Sequence, residues 1–271
     1  MSLAEIEGVD RLSRDLAKAC ATLGRDEARF LVDAYYQMQE RRIRSANQVR
    51  SLEENEEPHA VLVWLHEQSG VMERQMKLAL QKYAEADPVG EWSLSICGIG
   101  PVLAAGLLAH IDITRANTVG KIWRFAGLDH TVKWEKGKKR PWNAALKTLC
   151  WKIGESFVKT STSERQVYGG VYRERKAYEQ AKNEAGDYAD QAEAIIKARP
   201  SHAQAKTYKQ GKLPDGHIHA RAQRYTVKLF LAHWHHVAYE SWHEAEPPLP
   251  WIIQHGGHTD FIKPPNWPME K

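Results

Sequence analysis

The chain has 271 residues, 42% hydrophobic and 27% charged, enough for a sizeable core in one large domain or two modest ones. No apolar run approaches the ~18–20 residues of a membrane span, and the acidic, amphipathic start "MSLAEIEGVDRLSRDL" argues against a signal or transit peptide. Three widely spaced cysteines (Cys20, Cys97, Cys150) exclude a disulfide framework and a CxxC metal site, which suits a cytoplasmic protein.

The first elements are helical. Residues 3–23 carry apolar positions at helical spacing, and Asp26 is a candidate N-cap for a long helix from Asp26 to Leu52. The acidic knot "EENEEPH" breaks it, and a second long helix is predicted from His59 to Ala86. Two charged helices joined by a short break read as a helical hairpin or coiled coil over residues 1–90, with self-association through these helices as the expected oligomer contact. "ADPVG" (86–90) is the expected boundary to a second domain, residues 91–245.

That second domain opens on "GIGPVLAA". Gly98 and Gly100 permit positive φ and close approach, and a helix starting at Pro101 or Val102 offers free N–H groups to an anion. Ile96, Gly98, Ile99, Gly100 and Ala104 fit a helix-hairpin-helix, a motif that grips sugar-phosphate backbone. The plain alternative is a helix-helix corner in which Ala104, Ala105 and Ala109 permit close packing.

Charge changes sign beyond this point. Residues 1–99 hold 12 Lys and Arg against 17 Asp and Glu, whereas residues 115–183 hold 16 against 6. So basic a segment points to a polyanion such as nucleic acid. Its densest part is the loop "GLDHTVKWEKGKKRP" (127–141), with Lys136, Lys138, Lys139 and Arg140 as phosphate contacts. Trp134 and Trp142 flank the loop as stacking candidates, whereas Trp123 and Trp151 lie on amphipathic helices and are expected in the core.

Helices are predicted over residues 142–160, 164–197 and 219–245, and "EPPLPWIIQHGGHTDFIKPPNWPMEK" (246–271) is a proline-rich tail with no helix. In the last long helix Arg221, Arg224 and Lys228 make a basic face, with His217 and His219 as phosphate or capping donors. No Cys pair or HExxH pattern accompanies the histidines, so no metal site is expected. The fold class is mainly α.

Gly98–Ala104, then Phe125-Ala126-Gly127-Leu128, then Lys138-Lys139-Arg140, then a helix carrying Leu146, Leu149 and Ser156, resembles the C-terminal domain of the insertion sequence 110/116/902 transposases. The likeness covers residues 26–245. It implies DNA transposition or recombination, with DNA, or alternatively structured RNA, as partner. It also implies that Ser156 is the serine nucleophile that attacks a phosphodiester, with Lys152 and Lys159 on the same helical face supplying positive charge. The family's N-terminal RNase-H-like domain, with its acidic metal-binding tetrad, has no counterpart here. A self-sufficient strand transferase is therefore not expected: no cofactor is expected in this chain, and Mg2+ enters only if a partner supplies the acidic domain. The rival expectation is a non-catalytic nucleic-acid-binding or architectural protein derived from such a transposase.

Overall fold

A computed structural model describes residues 11–53, 59–257 and 261–269. These residues are mainly helical, and none of them lies in a strand. They form two compact units whose chain segments interleave: one comprises the chain up to Ser95 with Ile99–Asp112, the other Ile96–Gly98 with Ile113 onward.

The first unit contains α1 (Arg14–Ala19), α2 (Arg25–Glu53), α3 (Ala60–Glu85), α4 (Pro88–Ser95) and α5 (Pro101–His110). A short 3-10 turn, Cys20–Thr22, follows α1. Residues 1–10 of the expected first helix, and residues 54–58 of the acidic knot, lie outside the described residues. The cap of α2 differs from expectation. Arg25 already starts the helix, so Asp26 sits in its first turn, where its charge suits the helix dipole. Glu27 reaches back to accept from the Gly24 N–H at 2.7 Å.

Helices α2 and α3 run antiparallel: Arg42 pairs with Glu73, and Ser45 Oγ meets His66 Nδ1 at 3.1 Å. Helix α5 packs against both. Val102 and Ala104–Ala109 are all buried there, and the small Ala104, Ala105, Gly106 and Ala109 let three helices approach closely. Ala28, Val32 and Tyr35 of α2, Ala79, Leu80 and Ala84 of α3, and Val89 and Trp92 of α4 complete this core. The "ADPVG" stretch is a tight corner in this unit. Asp87 Oδ1 accepts from the N–H groups of Val89 (2.8 Å) and Gly90 (3.3 Å). A Cβ on Gly90 would fall 2.1 Å from the Ala84 carbonyl oxygen, so only glycine fits.

The second unit is built around α11 (Asp215–His243), against which α6 (Val119–Phe125), α7 (Ala144–Lys159) and α8 (Tyr168–Glu184) pack. Helix α7 buries Leu146, Leu149, Cys150, Ile153 and Phe157, an i, i+3, i+4 stripe. Trp151 falls off that stripe and is 58% exposed, against the expectation of a core residue. Trp123 is half-buried and donates its indole N–H to the Lys228 carbonyl at 3.0 Å. Phe157, Tyr168 and Phe230 form a ring cluster with centroids 4.8–5.3 Å apart. Gly154 allows α7 to approach α11: a Cβ there would meet Gln223 Cγ at 2.5 Å.

The helix expected over 164–197 is two helices, α8 and α9 (Ala189–Ala198), because Gly186 takes φ +86° and ends the first. With α10 (Ala205–Lys209), α9 and the start of α11 bury Tyr188, Ala192, Tyr208, Leu213 and Ile218. The tail is not wholly irregular. Helix α12 (Trp251–His255) forms just after Pro250, where no proline follows to break it. Residues 261–269 lie along α11: the Ile262 carbonyl meets His233 Nε2 at 2.9 Å, and Trp267 donates to Glu240 at 2.7 Å. Among the described residues no helix is long and apolar enough to cross a membrane.

Candidate nucleic-acid interface

In the second unit a long loop joins α6 to α7. Its ends are tied by the Asn143 N–H, which donates to the Phe125 carbonyl at 2.9 Å, while the Asn143 side chain caps α7 by accepting from Leu146 N at 2.9 Å. The excursion between them has the character of an Ω-loop, whose own side chains brace it. Near its tip, Trp134 Nε1 donates to the Lys138 carbonyl at 2.7 Å, and the Arg140 guanidinium lies 5.6 Å from the Trp134 ring centre. Lys136, Lys138, Lys139 and Arg140 are all exposed, with Lys138 paired to Glu135 at 2.7 Å.

Two more tryptophans hold cations in the same unit. Lys147 Nζ stands 4.2 Å from the centre of Trp142, and Lys228 Nζ stands 4.1 Å from that of Trp123. Gly127, at φ +66°, makes the first pair possible, because a Cβ there would lie 2.9 Å from Trp142 Cγ and 3.0 Å from Lys147 Cδ. The cations sense one another. Desolvation, then Arg224 and Arg140, lowers the pKa of Lys147. Desolvation also lowers that of Lys228, with Arg224 adding to the effect and Asp129 opposing it. Asp129 is itself held ionised, chiefly by the Thr131 hydroxyl and N–H. Arg140, Lys147, Arg224 and Lys228 are thus linked through their fields as a cationic platform, with Asp129 acting on Lys228. An anion placed there would relieve the mutual repulsion of the four.

Other expected contacts lie elsewhere. Arg221 is committed inward: its Nε donates to Glu179 at 2.7 Å and its guanidinium covers Tyr188 at 4.4 Å. The Glu179 side chain is 1% exposed and also takes Arg175 and the Tyr188 hydroxyl. Burial works against its charge, but these three donors outweigh it and hold its pKa below the usual carboxylate value. His219 Nδ1 meets the Tyr172 hydroxyl at 2.7 Å. His217 is lowered in pKa by burial and then by Arg221 and Arg224, so it sits neutral beside the platform.

The glycine hairpin is divided between the two units. Gly98 has φ +97°, and a Cβ there would press on Thr160 Oγ1 at 3.0 Å and Phe157 at 3.1 Å. Ile99 and Val102 are buried, and only Gly100 has open space around its missing side chain. Pro101 brings no N–H, and Leu103 and Ala104 both donate to the Gly100 carbonyl. That leaves the Val102 N–H as the remaining donor of the first helical turn.

Ser156 donates its hydroxyl to the Gly98 carbonyl at 2.5 Å, and Thr160 Oγ1 returns to the Ser156 carbonyl at 2.9 Å. A carbonyl is no base for activating a hydroxyl. Glu155, the adjacent carboxylate, instead accepts from Gln223 at 2.7 Å and stands 3.9 Å from His219. Lys152 and Lys159 come near each other on α7. The pKa of Lys152 is lowered by desolvation and then by Lys159. Among the described residues no group of three or more His, Cys, Asp or Glu is arranged to hold a metal ion.

Sequence reading singles out Arg224 and Lys228 but not Lys147, and does not foresee that Trp142 carries the Lys147 ammonium. The signal for Lys147 was its place one turn beyond the Asn143 cap, level with a flanking tryptophan. No family model, curated protein or solved structure matches the chain.

Proposed function

We propose that this protein binds DNA by its sugar-phosphate backbone through the platform of Arg140, Lys147, Arg224 and Lys228, with Lys136, Lys138 and Lys139 of the loop extending the contact. The transposase-like motifs give that binding its setting, DNA transposition or recombination. The observation that carries the reading is the tryptophan support beneath two of the cations. Lys147 and Lys228 are held on tryptophan rings with Arg224 acting on both, a concentration of positive charge that a polyanion would neutralise. Self-association through α2 and α3, which expose Ile43, Val61 and Leu65, belongs to the same reading.

The experiment is a binding titration of the full chain on a duplex oligonucleotide over a range of salt concentrations. Lys147→Ala and Lys228→Ala should each reduce the slope of log K against log salt by about 1. Unchanged slopes in both would remove the platform from the interface. The engagement of the Ser156 hydroxyl by a backbone carbonyl favours a second reading, binding without strand transfer. A DNA adduct that survives denaturant and is lost in Ser156→Ala would restore the catalytic one.

A further inference from the structure

Three tryptophans carry cations in the second unit, but they are not equivalent. Trp142 carries the Lys147 ammonium and lies against Gly127, whose missing Cβ would stand 2.9 Å from its ring. Trp123 is covered by Lys228 and bonded through its indole nitrogen to the Lys228 carbonyl. Both rings are partly buried and held against their lysines. Trp134 differs: it stands near the tip of the pinned loop and is 41% exposed. Its indole N–H is already satisfied within the loop by the Lys138 carbonyl, so the ring's orientation is fixed without solvent. Its cation is Arg140, a planar group that itself stacks on aromatic faces, and Arg140 also belongs to the platform through its field at Lys147.

We propose that Trp134, with Arg140 beside it, stacks on one unpaired nucleobase, so that the protein prefers single-stranded or locally opened nucleic acid to continuous duplex. The proposal rests on the nucleic-acid reading of the platform. Phosphate contacts alone do not distinguish a single strand from a duplex end to end. An exposed indole does, because in a continuous duplex the faces of the bases are occupied by their neighbours, whereas an unpaired base offers one. The loop sets the spacing: the ring is carried by the same short segment as Arg140, so base and adjoining phosphate are met by neighbouring side chains. The shared chemistry is the unpaired base, and it comes from single-stranded DNA or from an RNA loop.

The test uses the full-length chain and three labelled probes of equal length: an oligodeoxythymidylate, an oligouridylate and a mixed-sequence DNA duplex. Anisotropy titrations compare the native protein with Trp134→Ala, Trp134→Phe and Lys147→Ala. We expect Trp134→Ala to weaken binding of the preferred single strand by about tenfold, in line with the measured range for base–aromatic stacking. Duplex binding should change by less than about twofold, since no stacking contact is lost there. Trp134→Phe should recover most of the loss, because the ring face is retained. Lys147→Ala should weaken all three probes alike. Loss of equal size on single strand and duplex, or no loss on any probe, overturns the stacking role while leaving the platform in place. A native protein that binds none of the three probes in a salt-dependent way overturns the platform and the stacking role together.

Discussion

The Ser156 hydroxyl donates to the carbonyl of Gly98, a residue 58 positions earlier, at 2.5 Å. The bond ties the last turns of α7 to the glycine turn that precedes α5 and gives that carbonyl an acceptor role. Ser156→Ala is therefore a stability variant first. We expect it to cost about 1 kcal/mol, the usual net value of one such bond, read from the urea midpoint. A Ser156→Ala protein as stable as the native one would mean the bond is not maintained in solution.

The two glycines of that turn should respond unequally. Gly98→Ala places an L side chain at φ +97° and against Thr160 and Phe157, and we expect a loss of about 2 kcal/mol from strain and crowding. Gly100 has φ −96° and ψ 176°, with no atom within 4 Å of the added Cβ. Gly100→Ala should leave stability within about 0.5 kcal/mol. Melting curves of the pair decide this, and equal losses would contradict the geometry.

Two buried imidazoles make stability depend on pH. His233 lies between the Tyr168 hydroxyl on Nδ1 and the Ile262 carbonyl at Nε2, and His235 faces the Ala116 carbonyl. Burial lowers both to about 4 from an ordinary 6.5. Above 6.5 they are neutral in the folded and unfolded chains alike and add no pH dependence. Below 6.5 the unfolded chain takes up the protons first, so stability falls as the pH drops toward 4. Each site contributes about 3 kcal/mol over that window. Denaturant midpoints measured from pH 7.5 to 4 should show the fall, and His235→Gln should reduce its slope. A flat profile would show that these rings are not held neutral.

Glu179 is the most enclosed carboxylate of the second unit. Replacing it with Gln leaves Arg175 and Arg221 facing a neutral amide, and we expect a loss of about 3 kcal/mol. Arg221→Ala should be destabilising through the same cluster, with little change in the salt dependence of DNA binding, because its guanidinium points into the protein. A clear drop in that salt dependence would return Arg221 to the interface.

The helical character of the chain was legible because apolar residues repeat at helical spacing and glycine, proline or capping residues punctuate them. Asn143 before α7 and Gly98 to Pro101 before α5 were signals of that kind. The interruption at Gly186 was equally local, but an apolar-poor run of good helix formers on both sides masked it. Trp151 misled because it lies on an amphipathic helix, yet register sets it off the buried face: the stripe from Leu146 to Phe157 passes it by. The site was legible as a density of charge and less so as an arrangement. Arg221 sits one turn from Arg224, yet pairs with a carboxylate 42 residues away. Lys147 gains its place from Trp142 and Gly127, a relation that no helical period encodes.

The bond between Asn143 and Phe125 closes the loop at its base, where α6 ends and α7 begins. The exposed residues 133–140 are braced by the bonds of Trp134 to Lys138 and of Lys138 to Glu135, whereas Gly127 at the start of the loop packs on Trp142 and Lys147. Replacing the tip, or lengthening it, should therefore leave the stability of the scaffold close to native. The segment is in effect an exchangeable cassette, whose sequence is free to drift faster than the fold that carries it.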